Sequence, residues 1–254
     1  MMLSPLGPLR AARSRLPAPR FPLPALPVVL VGLAACLGCG TRGYEKLVAQ
    51  RAADFEQRAQ FNQLYADQQI EGTTISIRFP QVFKRSYTAA SADPDTGQPI
   101  DPRRLQPPFL LLPGFKLCWE ALGGPDNARL PYYCYLAVPT AAEIPAGTSL
   151  AETLRSELAS KFPGAAWEDV TCRSPEGALV PWRRLTVSGP QDFHTGGGQY
   201  SLLPGRFQLY LHEAQGQSVI VGWRVPDSIA LTANLDQLAE LTAGTISVAP
   251  PSGG

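Results

Sequence analysis

The sequence predicts an α+β domain, a mostly antiparallel sheet covered by helices and preceded by an N-terminal helix. Three observations predict it. Two pairs of strand-like runs are each joined by a turn-rich segment, the pattern of β-hairpins. Two apolar stripes at helical spacing stand after these runs, so helices are available to cover the sheet. The third is composition: 44% hydrophobic and 17% charged residues over 254 positions suit a folded body better than a disordered chain.

Residues 1–38 read as a leader and anchor region. Arg10, Arg13, Arg15 and Arg20 form a basic head without an acid, and no charged side chain occurs from Phe21 to Thr41. The apolar run Ala25–Leu37 is short of the ~20 residues that a spanning helix needs. Pro22, Pro24 and Pro27 disfavour a regular helix at its start. A basic head, a short apolar middle and small residues at the end read as a secretory signal. Leu33-Ala34-Ala35-Cys36 resembles the lipobox of bacterial lipoproteins. The resemblance implies acylation of the Cys36 sulfur, cleavage before it and acylation of the new amino terminus; Leu37-Gly38-Cys39 makes Cys39 the alternative. Stable anchoring needs more than one acyl chain, which such processing supplies. The expected location is the cell envelope, exported and held to the bilayer by lipid. Without the four leader arginines, 18 basic residues face 21 acidic ones, a net charge of −3. That argues against a nucleic-acid partner, which wants a clustered basic face.

The elements follow in order. Residues 43–70 read as a membrane-proximal helix, with Tyr44, Leu47, Val48, Phe55, Ala59 and Tyr65 as a thin apolar stripe; it is either a stalk or partner-binding helix or one packed on its own domain. The domain proper spans 73–248. Thr73–Phe79 alternates as a half-buried strand and Pro80 ends it. Residues 86–108 are a Pro- and Asp-rich insertion, read as a loop. Phe115–Leu122 and Pro131–Val138 flank G-G-P-D-N-A as a hairpin. Symmetric closure about Asp126 would make Cys118 and Cys134 cross-strand neighbours, near enough for a disulfide in an oxidising compartment; the alternative is two separate buried thiols. Cys172 is then the odd one, a buried small hydrophobe. Ser149 and Glu152 form a capping box for a helix carrying Leu150, Leu154, Leu158 and Phe162 on one face, stopped by Pro163-Gly164. Trp167–Arg173 and Trp182–Ser188 read as strands, and 189–204 as a Gly-rich loop. Arg206–Glu213 and Ser218–Val225 flank A-Q-G-Q as a second hairpin. Asp227–Leu241 reads as one last helix, and 249–254 as a flexible tail.

The pieces I-S-I-R-F-P, R-F-Q-L-Y-L-H-E / V-I-V-G-W-R-V-P and the closing helix together resemble the PsbP/Mog1-like α/β/α sandwich over residues 73–248. The resemblance implies a non-catalytic binding or assembly factor and carries no residue-level site. The 86–108 insertion departs from the compact version of that fold.

No catalytic constellation is found: His194 and His212 are the only histidines, and no nucleophile elbow or metalloprotease motif occurs. His194-Thr-Gly-Gly-Gly reads as a solvent loop. His212 and Glu213, adjacent on a strand, face opposite ways and cannot share acid–base work. Asp93, Asp95 and Asp101 make an incomplete calcium loop, because Gly97 comes one position early and Arg104 stands where a bidentate Glu should close the shell. The ordinary reading is a polar turn, and no metal or cofactor is expected. Trp119, Tyr132, Tyr133 and Tyr135 cluster on the first hairpin, reading as core plus one sheltered edge, and are the place to look for a ligand or partner. The function expected is a membrane-anchored, non-enzymatic envelope lipoprotein with a binding or assembly role toward an envelope protein; the alternative is an envelope enzyme or small-ligand carrier using a cavity between sheet and helices.

Overall fold

A computed structural model describes residues 26–88, 90–92, 97–101, 105–125, 129–196, 199–231 and 234–249, with backbone alone for 26–42, 194–196 and 199. It comprises two compact units, Met1–Ala53 and Asp54–Gly254, whose boundary falls within helix α1 (Leu26–Phe61). In the first unit the described side chains of α1, from Gly43 to Ala53, are all exposed. The helix is longer at its start and shorter at its end than the predicted 43–70. Pro27 sits in the first turn, where a missing N–H costs no hydrogen bond. At the other end Phe61 and Leu64 pack against Leu241 and the chain turns away. Among the described residues no helix is long and apolar enough to cross a membrane.

In the second unit the chain continues through β1 (Gln68–Gln69), β2 (Ile75–Ile77), β3 (Arg85–Thr88), β4 (Phe115–Gly123) and β5 (Leu130–Ala137). Helix α2 (Leu150–Ala159) precedes β6 (Trp167–Arg173), β7 (Leu179–Gly196), β8 (Gln199–Ala214) and β9 (Gln217–Pro226). Then come α3 (Asp227–Ala230), α4 (Leu235–Gly244) and β10 (Ser247–Val248). Seven strands form one antiparallel sheet, ordered β3-β4-β5-β9-β8-β7-β6, and β1-β2-β10 form a small second sheet.

Strand alternation divides the core in two. One face of the large sheet carries Trp119, Cys134, Leu136, Val221, Trp223 and Tyr210 with Ile229, Leu235 and Leu238 of α3 and α4, together with Ile75 and Ile77 of the small sheet. The other carries Cys118, Tyr135, Leu185, Phe207, Leu209 and Ile220 beneath Leu150, Leu154 and Leu158 of α2. Each of those three leucines, buried to 2% exposure or less, contributes about 1.5–3 kcal/mol relative to an exposed position. The Ser149–Glu152 capping box is formed, with Glu152 N–H donating to Ser149 Oγ at 3.2 Å. Trp182 Nε1 donates to the Ala243 carbonyl at 3.1 Å, tying β7 to α4.

Four expectations change. The start of the presumed insertion is strand β3, paired with β4, and Leu105 is buried in the second cluster. The 189–204 segment is not a loop but the far half of the β7–β8 hairpin, whose register runs unbroken to His194↔Tyr200. Pro190 opposes Pro204 there, a pairing that works because each missing N–H would point away from the other strand. The last helix is broken: Asn234 adopts a left-handed conformation (φ 48°), and Leu231, inside the stretch that reads as one helix, is 88% exposed. Finally, Cys118 opposes Tyr135 while Cys134 opposes Trp119, one residue away from symmetric closure about Asp126, which itself lies outside the described residues. A one-residue slip turns a side chain to the other face. Cys118 and Cys134 therefore belong to different core clusters and are free thiols, not a disulfide.

Candidate functional site

The second hairpin is set by its turn. Gln215 (φ 53°) and Gly216 (φ 75°) both have positive φ, as a two-residue type I′ connection requires. This fixes Ala214 opposite Gln217 and so registers β8 on β9. β7 and β8 then outrun their neighbours. β6 meets β7 no further than Trp167↔Leu185, and β9 meets β8 no further than Pro226↔Gly205. Residues 190–196 and 199–204 form a two-stranded ribbon beyond the sheet, which would be marginal if unsupported.

Its support is a buried cation. Arg224 on β9 is 5% exposed, and its guanidinium lies 4.6 Å from the Tyr133 ring and 4.9 Å from the Phe193 ring. Phe193 can lie down on the sheet because Gly205 has no side chain: a Cβ there would stand 2.7 Å from the ring. Gln191 is also buried and donates through Nε2 to the Gly205 carbonyl at 3.1 Å. Its Oε1 and Arg224 Nε have no hydrogen-bond partner among the described residues. The register places Arg85, Glu120, Tyr133, Arg224, Phe207 and Val187 in one row across five strand pairings. Arg85 and Glu120 approach to 3.8 Å at its exposed end. Burial pushes the Tyr133 hydroxyl well above its ordinary pKa, and the neighbouring Arg224 charge works against that rise.

A groove of about 580 Å³ opens beside this ribbon. One wall is the edge of β7 from Thr186 to Asp192; the other is the turn Lys161–Ala165 after α2, with Phe109. Phe109 meets Phe162 and Phe207 edge to face at 5.1 and 5.2 Å. The turn is held by Phe162 N–H donating to the Leu158 carbonyl (2.8 Å) and Ala165 N–H to the Phe162 carbonyl (3.2 Å). The groove combines an aromatic floor, an open strand edge and two exposed charges of opposite sign, Lys161 and Asp192. Such a concavity suits binding.

The sequence-predicted residues are scattered. Cys36 and Cys39 fall in the part of α1 described by backbone alone, and Asp93 and Asp95 lie outside the described residues. Asp101 is exposed, and no metal-ligating group of His, Cys, Asp and Glu occurs among the described residues. His194 is a strand residue of β7 rather than a loop residue. His212 is buried and donates through Nδ1 to the Pro181 carbonyl at 2.8 Å, while Glu213 is exposed on the other side. Of the aromatic cluster, Trp119 stacks on Phe79 at 3.7 Å and Tyr132 and Tyr135 are core. Tyr133 alone is only half-buried, beneath Arg224, and it lies on the interior strand β5 rather than at an edge of the sheet. Arg224 and Gln191 were missed; the one signal was an arginine inside the apolar run V-I-V-G-W-R-V-P, which only register turns into a site.

No family model and no curated protein matches the chain. Among solved structures it is similar to the cyanobacterial PsbP protein (CyanoP) from Synechocystis sp. PCC 6803, determined in solution. The match covers 74% of this chain and 93% of that one, at 10% identity and a TM-score of 0.37.

Proposed function

We propose that this chain is a lipid-anchored cell-envelope protein with a non-enzymatic binding or assembly role, its domain an α/β/α sandwich of the PsbP/Mog1-like kind. The observation that carries the binding role is the groove along β7: an aromatic floor beside a strand edge at which the sheet stops short. The anchor rests on the lipobox-like Leu33-Ala34-Ala35-Cys36, with Cys39 as the alternative acceptor. The sandwich rests on helices that join the apolar cluster on each face of the large sheet. The volume of the groove also favours a second reading, carriage of a small apolar ligand.

The test is the intact mass of the protein extracted from its host's membranes. The expected product begins at Cys36 and is heavier by its acyl chains, and Cys36→Ala is expected to yield no acylated product beginning at that position. A soluble, unmodified chain beginning elsewhere overturns the anchor. Masses of co-purifying small molecules separate ligand carriage from assembly.

A further inference from the structure

We propose that the Ser188–Asp192 edge of β7 binds one extended peptide segment of a partner protein, added as a strand on the line of β6. This rests on the binding role proposed above and names its partner by chemistry.

Main-chain geometry leaves this edge of β7 unpaired. In an antiparallel strand, the N–H and C=O of one residue point to the same side, and successive residues alternate. Two observations fix the sense in β7. The Pro181 carbonyl is turned toward β8, where His212 donates to it. Pro190 faces Pro204 across the same ladder, so its ring nitrogen is turned away from β8. Odd-numbered residues of β7 therefore bond β8, and even-numbered ones point to the flank of β6. Up to Leu185 that flank is filled by β6. Beyond it, the N–H and C=O of Ser188 and Asp192 and the C=O of Pro190 face the groove. Among the described residues, no main-chain hydrogen bond outside the regular ladders involves these three, and all three are exposed. Polar main-chain groups repeating at a two-residue period are matched by another main chain, as in strand addition to a sheet edge.

The walls set the length and the side chains. From Ser188 to Asp192 the edge runs about 14 Å at about 3.4 Å per residue. Peptide side chains on the α2 side of the sheet meet Phe109 and Phe162, so alternate apolar or aromatic residues fit there. Pro190 withholds one donor in mid-edge and the Lys161–Ala165 turn closes the far side. Both work against indiscriminate pairing with other sheets.

The probe is a displayed library of random seven-residue peptides, panned against the full-length chain in detergent. An enriched peptide is then made in three forms: unmodified, and N-methylated on either of its two alternating residue sets. The unmodified peptide is expected to slow amide exchange at Ser188 and Asp192 at least tenfold. One methylated form loses at least tenfold in affinity and the other binds like the parent. Ser188→Pro, which deletes an edge donor, loses at least tenfold with the melting temperature kept; Asp192→Pro serves if that variant does not fold. The proposal is overturned if no peptide is enriched, if both methylated forms bind like the parent, or if protection appears away from β7. The mass of the membrane-extracted protein is independent of these outcomes, so failure of the strand site and failure of the anchor are read separately.

Discussion

Arg224 shows how one buried charge can hold an element in place. Its guanidinium lies 4.6 Å from the Tyr133 ring and 4.9 Å from the Phe193 ring, and it is buried, a desolvated geometry in which a cation–π contact is worth about 2 kcal/mol. Phe193→Leu keeps the apolar volume but loses the ring face. It is expected to lower stability by about 1–2 kcal/mol and to speed amide exchange in residues 190–204 ahead of the rest of the sheet, measured by hydrogen-exchange mass spectrometry. The three described cysteines follow from burial in the same way. Burial holds Cys172 up to about 12, with the Glu240 charge adding to the rise and Arg184 opposing it. Cys118 and Cys134 are also pushed up by burial. Thiolate is the reactive form, so at pH 8 a thiol reagent should leave all three unlabelled in the native chain and label them once denaturant unfolds it. Rapid native labelling of Cys172 would contradict its packing under α4.

At the scale of elements, α2 depends on its first turn. Ser149 Oγ accepts from Glu152 N–H, and the Glu152 carboxylate accepts from Ser149 N–H at 3.3 Å. Ser149→Ala should cost about 1 kcal/mol, read as a shift of the denaturation midpoint without a change in its slope. The hairpins teach a different lesson. A-Q-G-Q announces its own register, because a two-residue turn with both φ positive admits one pairing. The loop closing β4 on β5 has no such constraint, and from its centre the pairing was read one residue away. That slip separated Cys118 from Cys134 completely, since the side-chain period of a strand is two. The 190–204 ribbon was hidden for a related reason. Glycine and proline are turn residues by local propensity, yet here Gly205 serves a close ring contact and Pro190 and Pro204 sit where no ladder N–H is needed.

For the whole molecule, the charge pattern sets how stability responds to acid. Hydrogen bonds from Arg78 hold the Asp67 carboxyl below its ordinary pKa. The Glu143 carboxyl is lowered chiefly by the Thr140 backbone N–H, against some desolvation, with further hydrogen bonds from the Thr140 hydroxyl and the Gly114 N–H. Each has a folded pKa below its unfolded value. Its contribution is complete above the ordinary carboxylate range, about 4, and is lost as pH falls through the folded value. Glu157, raised by burial, acts in the opposite sense. The melting temperature should therefore be level above about pH 5 and fall below about pH 4, and Glu143→Gln should flatten that fall. A melting temperature that rises on acidification would contradict the balance of these groups.

Local signals in the chain were enough for the capped helix α2, the alternating strands of both hairpins, the mixed helix and antiparallel-sheet class, and the leader pattern on which the anchor proposal rests. These rest on period, capping and turn chemistry, which act within a few residues of chain. The seven-strand order, the face on which each described cysteine lies, the broken last helix and the length of the β7–β8 ribbon came from long-range packing instead. It alone brought Arg224, Phe193 and Gln191 together beside an open edge. Those features depend on register and on where one strand ends relative to another, and residues far apart in sequence fix both through packing that no local pattern encodes.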